Sequence, residues 1–155
     1  MANITYISGD ECLLDKIQPL WEQLNKHHLK LSPNFKQYYR DMTFQKRKAQ
    51  LLKKVVEGQI RVDLAVDEAS NQTVGYCVTS LNKEKSGIIE SIYVVKAYRN
   101  IGIGDALIKK ALNWLDQNDA VEKIVEVGSG NEAVFGFYER YGFLPRKTML
   151  KQIKH

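Results

Sequence analysis

The chain of 155 residues is 44% hydrophobic and 26% charged, with 3 prolines, 2 cysteines and a formal net charge of +5. This is ordinary globular composition at a length that suits one domain, so a single domain over residues 1–155 is expected, and a disordered, collagen-like or disulfide-framework chain is excluded. No apolar run nears the ~20 residues of a membrane span and Met1–Ile7 lacks the pattern of a secretory leader, so a cytoplasmic protein with no membrane partner is expected.

Ile4 to Ile7 reads as a short strand closed by Ser8-Gly9-Asp10. Leu13, Ile17, Leu20, Trp21 and Leu24 then recur at three and four, which predicts a helix that Pro19 kinks or interrupts. Cys12, like Cys77 farther on, has no second ligand at metal spacing, and both are expected to be buried reduced thiols. Ser32-Pro33 opens a new segment, with a short helix around Phe35, Tyr38, Tyr39 and Met42. Thr43 can cap a longer helix that stops near Gly58. The basic cluster Lys46-Arg47-Lys48 and Lys53-Lys54 on that helix is expected to be a solvated face, so nucleic acid is disfavoured as a partner.

Beyond Gly58 the period changes to two. Ile60, Val62, Leu64 and Val66 alternate with Arg61, Asp63 and Ala65, a turn follows, and Val74, Tyr76 and Val78 alternate again as the second arm of a hairpin. Ile88 to Val95 makes a further strand, apolar except for Glu90 and Ser91. A helix carries Leu107, Ile108, Ala111, Leu112 and Leu115 and ends near Asn118-Asp119. Val121 to Val127 reads as a strand, Gly128 to Asn131 as a loop, Ala133 to Tyr141 as a short helix ended by Gly142, and Thr148 to Ile153 as a last strand. The order is β-α-α-β-β-β-α-β-α-β, an α/β (α+β) fold whose mixed, mostly antiparallel sheet is flanked by about four helices. Residues 88 to 127 form a strand-helix-strand unit that needs one parallel pairing.

Between that strand and helix lies Arg99-Asn100-Ile101-Gly102-Ile103-Gly104-Asp105. Two glycines at a helix start leave backbone N–H groups accessible, with the positive end of the helix dipole behind them, which suits a phosphate. A nucleotide P-loop would need Lys-Ser/Thr after its second glycine, and none follows. The dinucleotide fingerprint Gly-x-Gly-x-x-Gly/Ala has Leu107 at its third site and follows a meander, not an opening βαβ unit.

Arg99-x-x-Gly102-x-Gly104 after Ile92-Tyr93-Val94 resembles motif A of the Gcn5-related N-acetyltransferase (GNAT) superfamily, and Asn131 with Phe137-Tyr-Glu-Arg-Tyr-Gly-Phe143 resembles its motif B at the right distance. The resemblance spans about residues 60 to 145. It implies acetyl-CoA as cosubstrate with no metal, its diphosphate and pantetheine arm held by Ile92, Tyr93, Val94, Arg99, Asn100, Ile101, Gly102, Ile103, Gly104, Asp105 and Asn131. Glu132 stands where the family often has proline, and room remains for one terminal strand where the family commonly has two.

An alkylammonium with a pKa near ~10.4 must lose a proton before it can attack a thioester. Glu90, an acid on an apolar strand four residues before Val94, is expected to face the same side as Ile92 and Val94 and to serve as base, which the resemblance also implies. The alternatives are a carboxylate paired with Arg61 of a neighbouring strand, with Asp63 or a water relay as base. Tyr138 aligns with the family's proton-sharing tyrosine, Tyr141 being the competing phenol. His27 and His28, assigned to the linker between the first two helices, and Tyr38 are candidate acceptor-side residues. Lys96, Lys109, Lys110 and Arg140 are candidate partners of the outer phosphates.

The expected function is transfer of an acetyl group from acetyl-CoA to a primary amine of a small molecule, a polyamine, aminoglycoside or amino-acid-like compound, in a ternary complex. The alternatives are acetylation of a protein N-terminus or lysine, and a non-catalytic acyl-CoA-binding module with a basic helix on nucleic acid. A homodimer is left open.

Overall fold

The structure, a computed structural model, describes residues 2–154. Strand β1 (Ile4–Gly9) leads through a 3-10 turn (Glu11–Ile17) into α1 (Gln18–Leu31), α2 (Lys36–Asp41) and α3 (Phe44–Val55). The meander β2 (Gln59–Asp67), β3 (Gln72–Leu81) and β4 (Ser86–Val94) follows, then α4 (Ile103–Gln117), β5 (Glu122–Val125) and α5 (Phe135–Glu139). The sheet order is β1-β2-β3-β4-β5, antiparallel except for β4 and β5. The mixed α/β architecture expected from the sequence is therefore present.

Pro19 does not kink a helix. It sits in the first turn of α1, where its missing N–H is one that no helix would use, and the 3-10 turn before it ends at Ile17. Because α1 starts there and runs on to Leu31, His27 and His28 lie in its last turns and not in a linker. Thr43 caps α3 as expected, its hydroxyl accepting from the Lys46 amide at 3.2 Å. Cys77 is buried, whereas Cys12 is exposed on the 3-10 turn.

The sheet is covered on both faces. Leu14, Ile17, Leu20, Trp21, Phe44 and Leu51 pack on Val62, Leu64, Tyr76 and Val78 on one side. On the other, Ile103, Leu107, Ile108, Ala111 and Leu115 of α4 pack on Ala65, Val74, Cys77 and Ile89. Strand periodicity explains this division of β2 and β3, successive side chains going to opposite faces, except at Val74, which a register shift beside Ala65 and Val66 places on the α4 side.

In β4 the alternation breaks. Val78 is opposite Ser91 but Thr79 is opposite Ile89, so one residue is inserted in a bulge and both Glu90 and Ser91 lie on the α1–α3 side. β4 and β5 pair only over Ser86–Ile89 and Glu122–Val125; past Ile89, β4 continues to Val94 without a partner on that edge. The two strands part there. The expected last strand at Thr148–Ile153 is absent, since residues 144–154 have no regular structure and are exposed throughout. Met149 and Leu150 are adjacent, so the segment has no period of two, and no strand of this chain lies beside it to supply hydrogen bonds.

Candidate active site

The head of α4 lies just beyond the parted strands. Asn100 and Gly102 both take left-handed backbone, φ 66° and 91°, and Gly102 is the N-cap of the helix. A side chain at Gly102 would meet nothing in space, so the glycine is required by its φ alone. The first intrahelical bond at this end runs from the Ala106 amide to Gly102 O at 3.0 Å, and among the described residues the amides of Ile103, Gly104 and Asp105 have no backbone acceptor.

Asp105 contributes a negative charge in this first turn, where the dipole favours it. The carboxylate accepts a hydrogen bond from Tyr141 Oη and pairs with Lys109 at 2.9 Å, and these contacts hold it below its ordinary range, the Tyr141 bond being the larger cause. Arg99 donates from Nε to Val94 O at 2.9 Å and lies 5.3 Å over the Tyr93 ring, tying the loop to the end of β4.

On β4, the Val95 amide donates to Val74 O at 2.9 Å. In an antiparallel pair the direction alternates, so Ile92 and Val94 turn N–H and C=O away from β3 toward the gap, and Tyr93 turns its backbone to β3. The Tyr93 hydroxyl reaches Gln23 at 3.2 Å. Ile101 is exposed and Ile103 buried under the helix. Asn131 bonds its amide to Gly128 O at 3.0 Å and its side chain engages no described residue. Of the residues considered for outer phosphates, Lys109 is on Asp105, Lys110 lies 5.2 Å over Tyr6, and Arg140 covers Phe137 and Tyr141.

The two phenols differ in their engagements. Tyr141 is bonded to Asp105, and its phenol is pushed up to about 12 by desolvation first and that bond second. Tyr138 is buried beside Phe137 and Phe143, its phenol pushed up to about 12 by burial with a smaller push from Cys77, yet no described group hydrogen-bonds its hydroxyl. Tyr138 therefore holds a free donor.

Glu90 is not on the face of Ile92 and Val94, because the bulge turns it over. Its Oε1 meets Arg47 at 3.2 Å, while Oε2 accepts from Ser80 at 2.5 Å and from the Lys54 ammonium. Nor is it paired with Arg61, which binds Asp63 at 2.9 Å. Asp63 is fully buried with Arg61 and Ser8 as partners, on the α4 side with Cys77. Arg47 and Lys54 thus leave the solvated basic face to which the sequence assigned them. They stand seven residues apart on α3, two turns on one face, and that spacing was the signal available for finding them.

At the acceptor side, His28 lies 5.6 Å from the Tyr39 ring, which Tyr38 meets edge-on at 5.1 Å, and His27 is 6.2 Å from His28. Burial lowers His28, and the neighbouring His27 adds to it. Tyr39, for which flooring an acceptor pocket and mere packing are both open in the sequence, is the contact point. A Cβ on Gly128 would sit 2.8 Å from Tyr39 Oη, and one on Gly130 would sit 2.1 Å from Leu31 O. The end of α1 and α2 therefore press directly on the loop after β5.

The sequence matches the acetyltransferase (GNAT) family over residues 21–143. The chain belongs to this family. Among its relatives, N-alpha-acetyltransferase 30 of Schizosaccharomyces pombe is 35% identical over 65 residues, 42% of this chain and 43% of that protein. Streptothricin acetyltransferase A of Bacillus subtilis is 31% identical over 74 residues, 48% of this chain and 43% of that protein. The chain thus spans less than half the length of the curated relatives it matches. In three dimensions it resembles the PaiA N-acetyltransferase of Thermoplasma acidophilum, solved in complex with coenzyme A, with TM-score 0.72 at 17% identity over 95% of this chain and 93% of that one. Among the described residues no group of His, Cys, Asp or Glu is arranged to hold a metal ion, and no helix is long and apolar enough to cross a membrane.

Proposed function

We propose that the protein is an acetyl-CoA-dependent N-acetyltransferase that moves an acetyl group to the primary amine of a small molecule, with both substrates bound together. The observation that carries this reading is the set of unpaired amides at the head of α4, beside the gap between β4 and β5. Such amides suit a diphosphate, and Gly102 keeps the approach open. Asn100 to Asp105 would hold that group, Ile92 and Val94 would meet the pantetheine amides as a paired strand does, and Asn131 would add a side-chain contact.

Acetyl-CoA supplies, when bound, an activated acyl thioester. The outward N–H of Ile92 or Val94 polarises the acyl oxygen. Tyr138 donates a hydrogen bond to the departing sulfur; a phenol raised to about 12 keeps its proton at neutral pH and shares it. The acceptor arrives as an ammonium, and Glu90 Oε2 already binds one, that of Lys54. An acceptor ammonium can take that place charge for charge, then pass its proton to Glu90 or to a water on it.

The matched relatives include one named for N-alpha-acetylation and one named for streptothricin. The press of Leu31 and Tyr39 on Gly130 and Gly128 favours a small acceptor, since a peptide crossing there would have to part these segments. The test is thiol release from acetyl-CoA with polyamines, aminoglycosides, amino acids and basic peptides offered in parallel. Release with a small amine and none with peptides is expected. Absence of heat on titrating coenzyme A or acetyl-CoA into folded protein overturns the reading.

A further inference from the structure

Glu90 is the residue of β4 that the sheet itself does not hold. It has no residue opposite on β3, where Val78 faces Ser91 and Thr79 faces Ile89, and on the other edge the pairing with β5 ends at Ile89. A bulged residue of this kind drops out of the ladder, and the strand bends there. Before the bulge, β4 is pinned between two strands. Beyond it lie Ile92 and Val94, whose outward N–H and C=O groups line the gap. The direction of those groups is set at Glu90, where strand pairing does not set it.

What holds this point comes from α3. Phe44 and Leu51 are buried and fix that helix against the sheet, Phe44 meeting Trp21 edge-on at 5.8 Å. Arg47 lies between them on the same stripe, three residues after Phe44 and four before Leu51. Its Nη2 donates to the main-chain carbonyl of Glu90 at 3.1 Å and to Oε1 of the same residue at 3.2 Å. Lys54 and Ser80 reach only Oε2, and Tyr76 Oη, 2.7 Å from Ser91 Oγ, meets a side chain. Among the described residues Arg47 is thus the one side chain that grips the backbone of the bulge.

We propose that Arg47 is a positioning residue: by holding the Glu90 carbonyl it aims the N–H of Ile92 at the acyl oxygen, a role that rests on the acetyl-transfer reading above. Neutralising Glu90 is not its distinctive contribution, since Lys54 supplies a cation as well. The contact to main chain is what Arg47 alone provides. Such a contact matters for rate, because misplacing a reacting group by about 1 Å can slow a reaction roughly a hundredfold.

A double-mutant cycle on the full chain separates the two contacts that Arg47 makes with Glu90. Glu90→Gln discards the charge and keeps the carbonyl, so in that background Arg47→Met removes chiefly the grip on main chain. There kcat should fall about tenfold further. KM for the amine should hold, because Arg47 is on Oε1 and the acceptor's place is Oε2. In the protein without coenzyme A, the backbone amide resonances of Ile92 and Val94 should move on Arg47→Met and stay near their wild-type positions in Glu90→Gln alone. If Arg47→Met does not fold, Arg47→Lys, of equal charge and shorter reach, is measured in the same way. A lower melting temperature with kcat and these resonances unchanged overturns the role of Arg47, as does either readout failing to respond in an active protein. A wild type that releases no thiol with any amine overturns the acetyl-transfer reading instead, and the resonances then still decide whether Arg47 sets the strand.

Discussion

The two faces of the sheet are built on different principles. The α4 face is apolar beneath α4, with Asp63 and Arg61 paired toward β1, and at the head of α4 its chemistry is done by backbone: left-handed Asn100 and Gly102, open amides, and the outward N–H groups of Ile92 and Val94. The α1–α3 face holds charge inside the fold, with Glu90 between Arg47, Lys54 and Ser80. The first arrangement comes from neighbours in sequence, the second from three separate elements. A site made of main chain tolerates side-chain change but not a change of φ, and a site made of side chains behaves in the opposite way.

The largest effect should therefore come from backbone. In Gly102→Val a β-branched residue must occupy φ 91°, and affinity for coenzyme A should fall about a hundredfold, some 2.7 kcal/mol, by calorimetry. A variant that binds normally would remove the backbone account of the α4 face. Next is Tyr138→Phe, which should lower kcat about 10²-fold while leaving acetyl-CoA affinity intact, whereas Tyr141→Phe should loosen Asp105 and chiefly weaken binding. Equal losses of kcat in the two would erase the distinction drawn between the phenols.

On the charged face, Glu90→Gln should reduce kcat/KM about tenfold and alter its pH profile. It should also cost about 1–3 kcal/mol of stability in denaturant titration, because Arg47 and Lys54 lose their anion. Lys54→Met should act in the other direction on binding, lowering KM for a cationic acceptor roughly threefold, in keeping with about 0.6 kcal/mol for a pair whose lysine is 37% exposed. An unchanged KM would show that the acceptor never visits Oε2.

The smallest effect is that of pH on His28. The fold holds this imidazole below its ordinary value, so the unfolded chain binds the proton more readily. Its share of stability is present above about 6.5, and is lost as pH falls from there through the folded value. Melting temperatures of wild type and His28→Phe should diverge at neutral pH and converge on the acid side, the variant showing the shallower acid slope.

Legibility in the sequence followed the same division. The α4 face was readable because helix period, glycine spacing and strand length are local: Leu107, Ile108, Ala111 and Leu115 are where a 3.6 repeat puts them, and the open amides follow from Gly102 and Gly104. On the other face Glu90 was singled out as an oddity, but its direction was misread. Alternation assumes an unbroken pleat, and the local pattern Ile89-Glu90-Ser91 shows no inserted residue; only the family resemblance implies a bulge in this strand. Arg47 and Lys54 looked like solvated charge because their partner lies 43 and 36 residues away. Pro19 misled for the opposite reason, since a helix breaker and a helix starter are one residue at different positions.

The inserted residue in β4 acts as a phase switch. Before it, odd-numbered positions such as Ile89 look toward α4; after it, even-numbered positions such as Ile92 do. Shortening the strand by one residue at this point would restore strict alternation and force either Glu90 or Ser91 out of the compartment they now share. The segment on one side would have to rotate by half a pleat. Position along the chain and compartment in the fold are thus uncoupled at this point of β4, and that point carries the carboxylate.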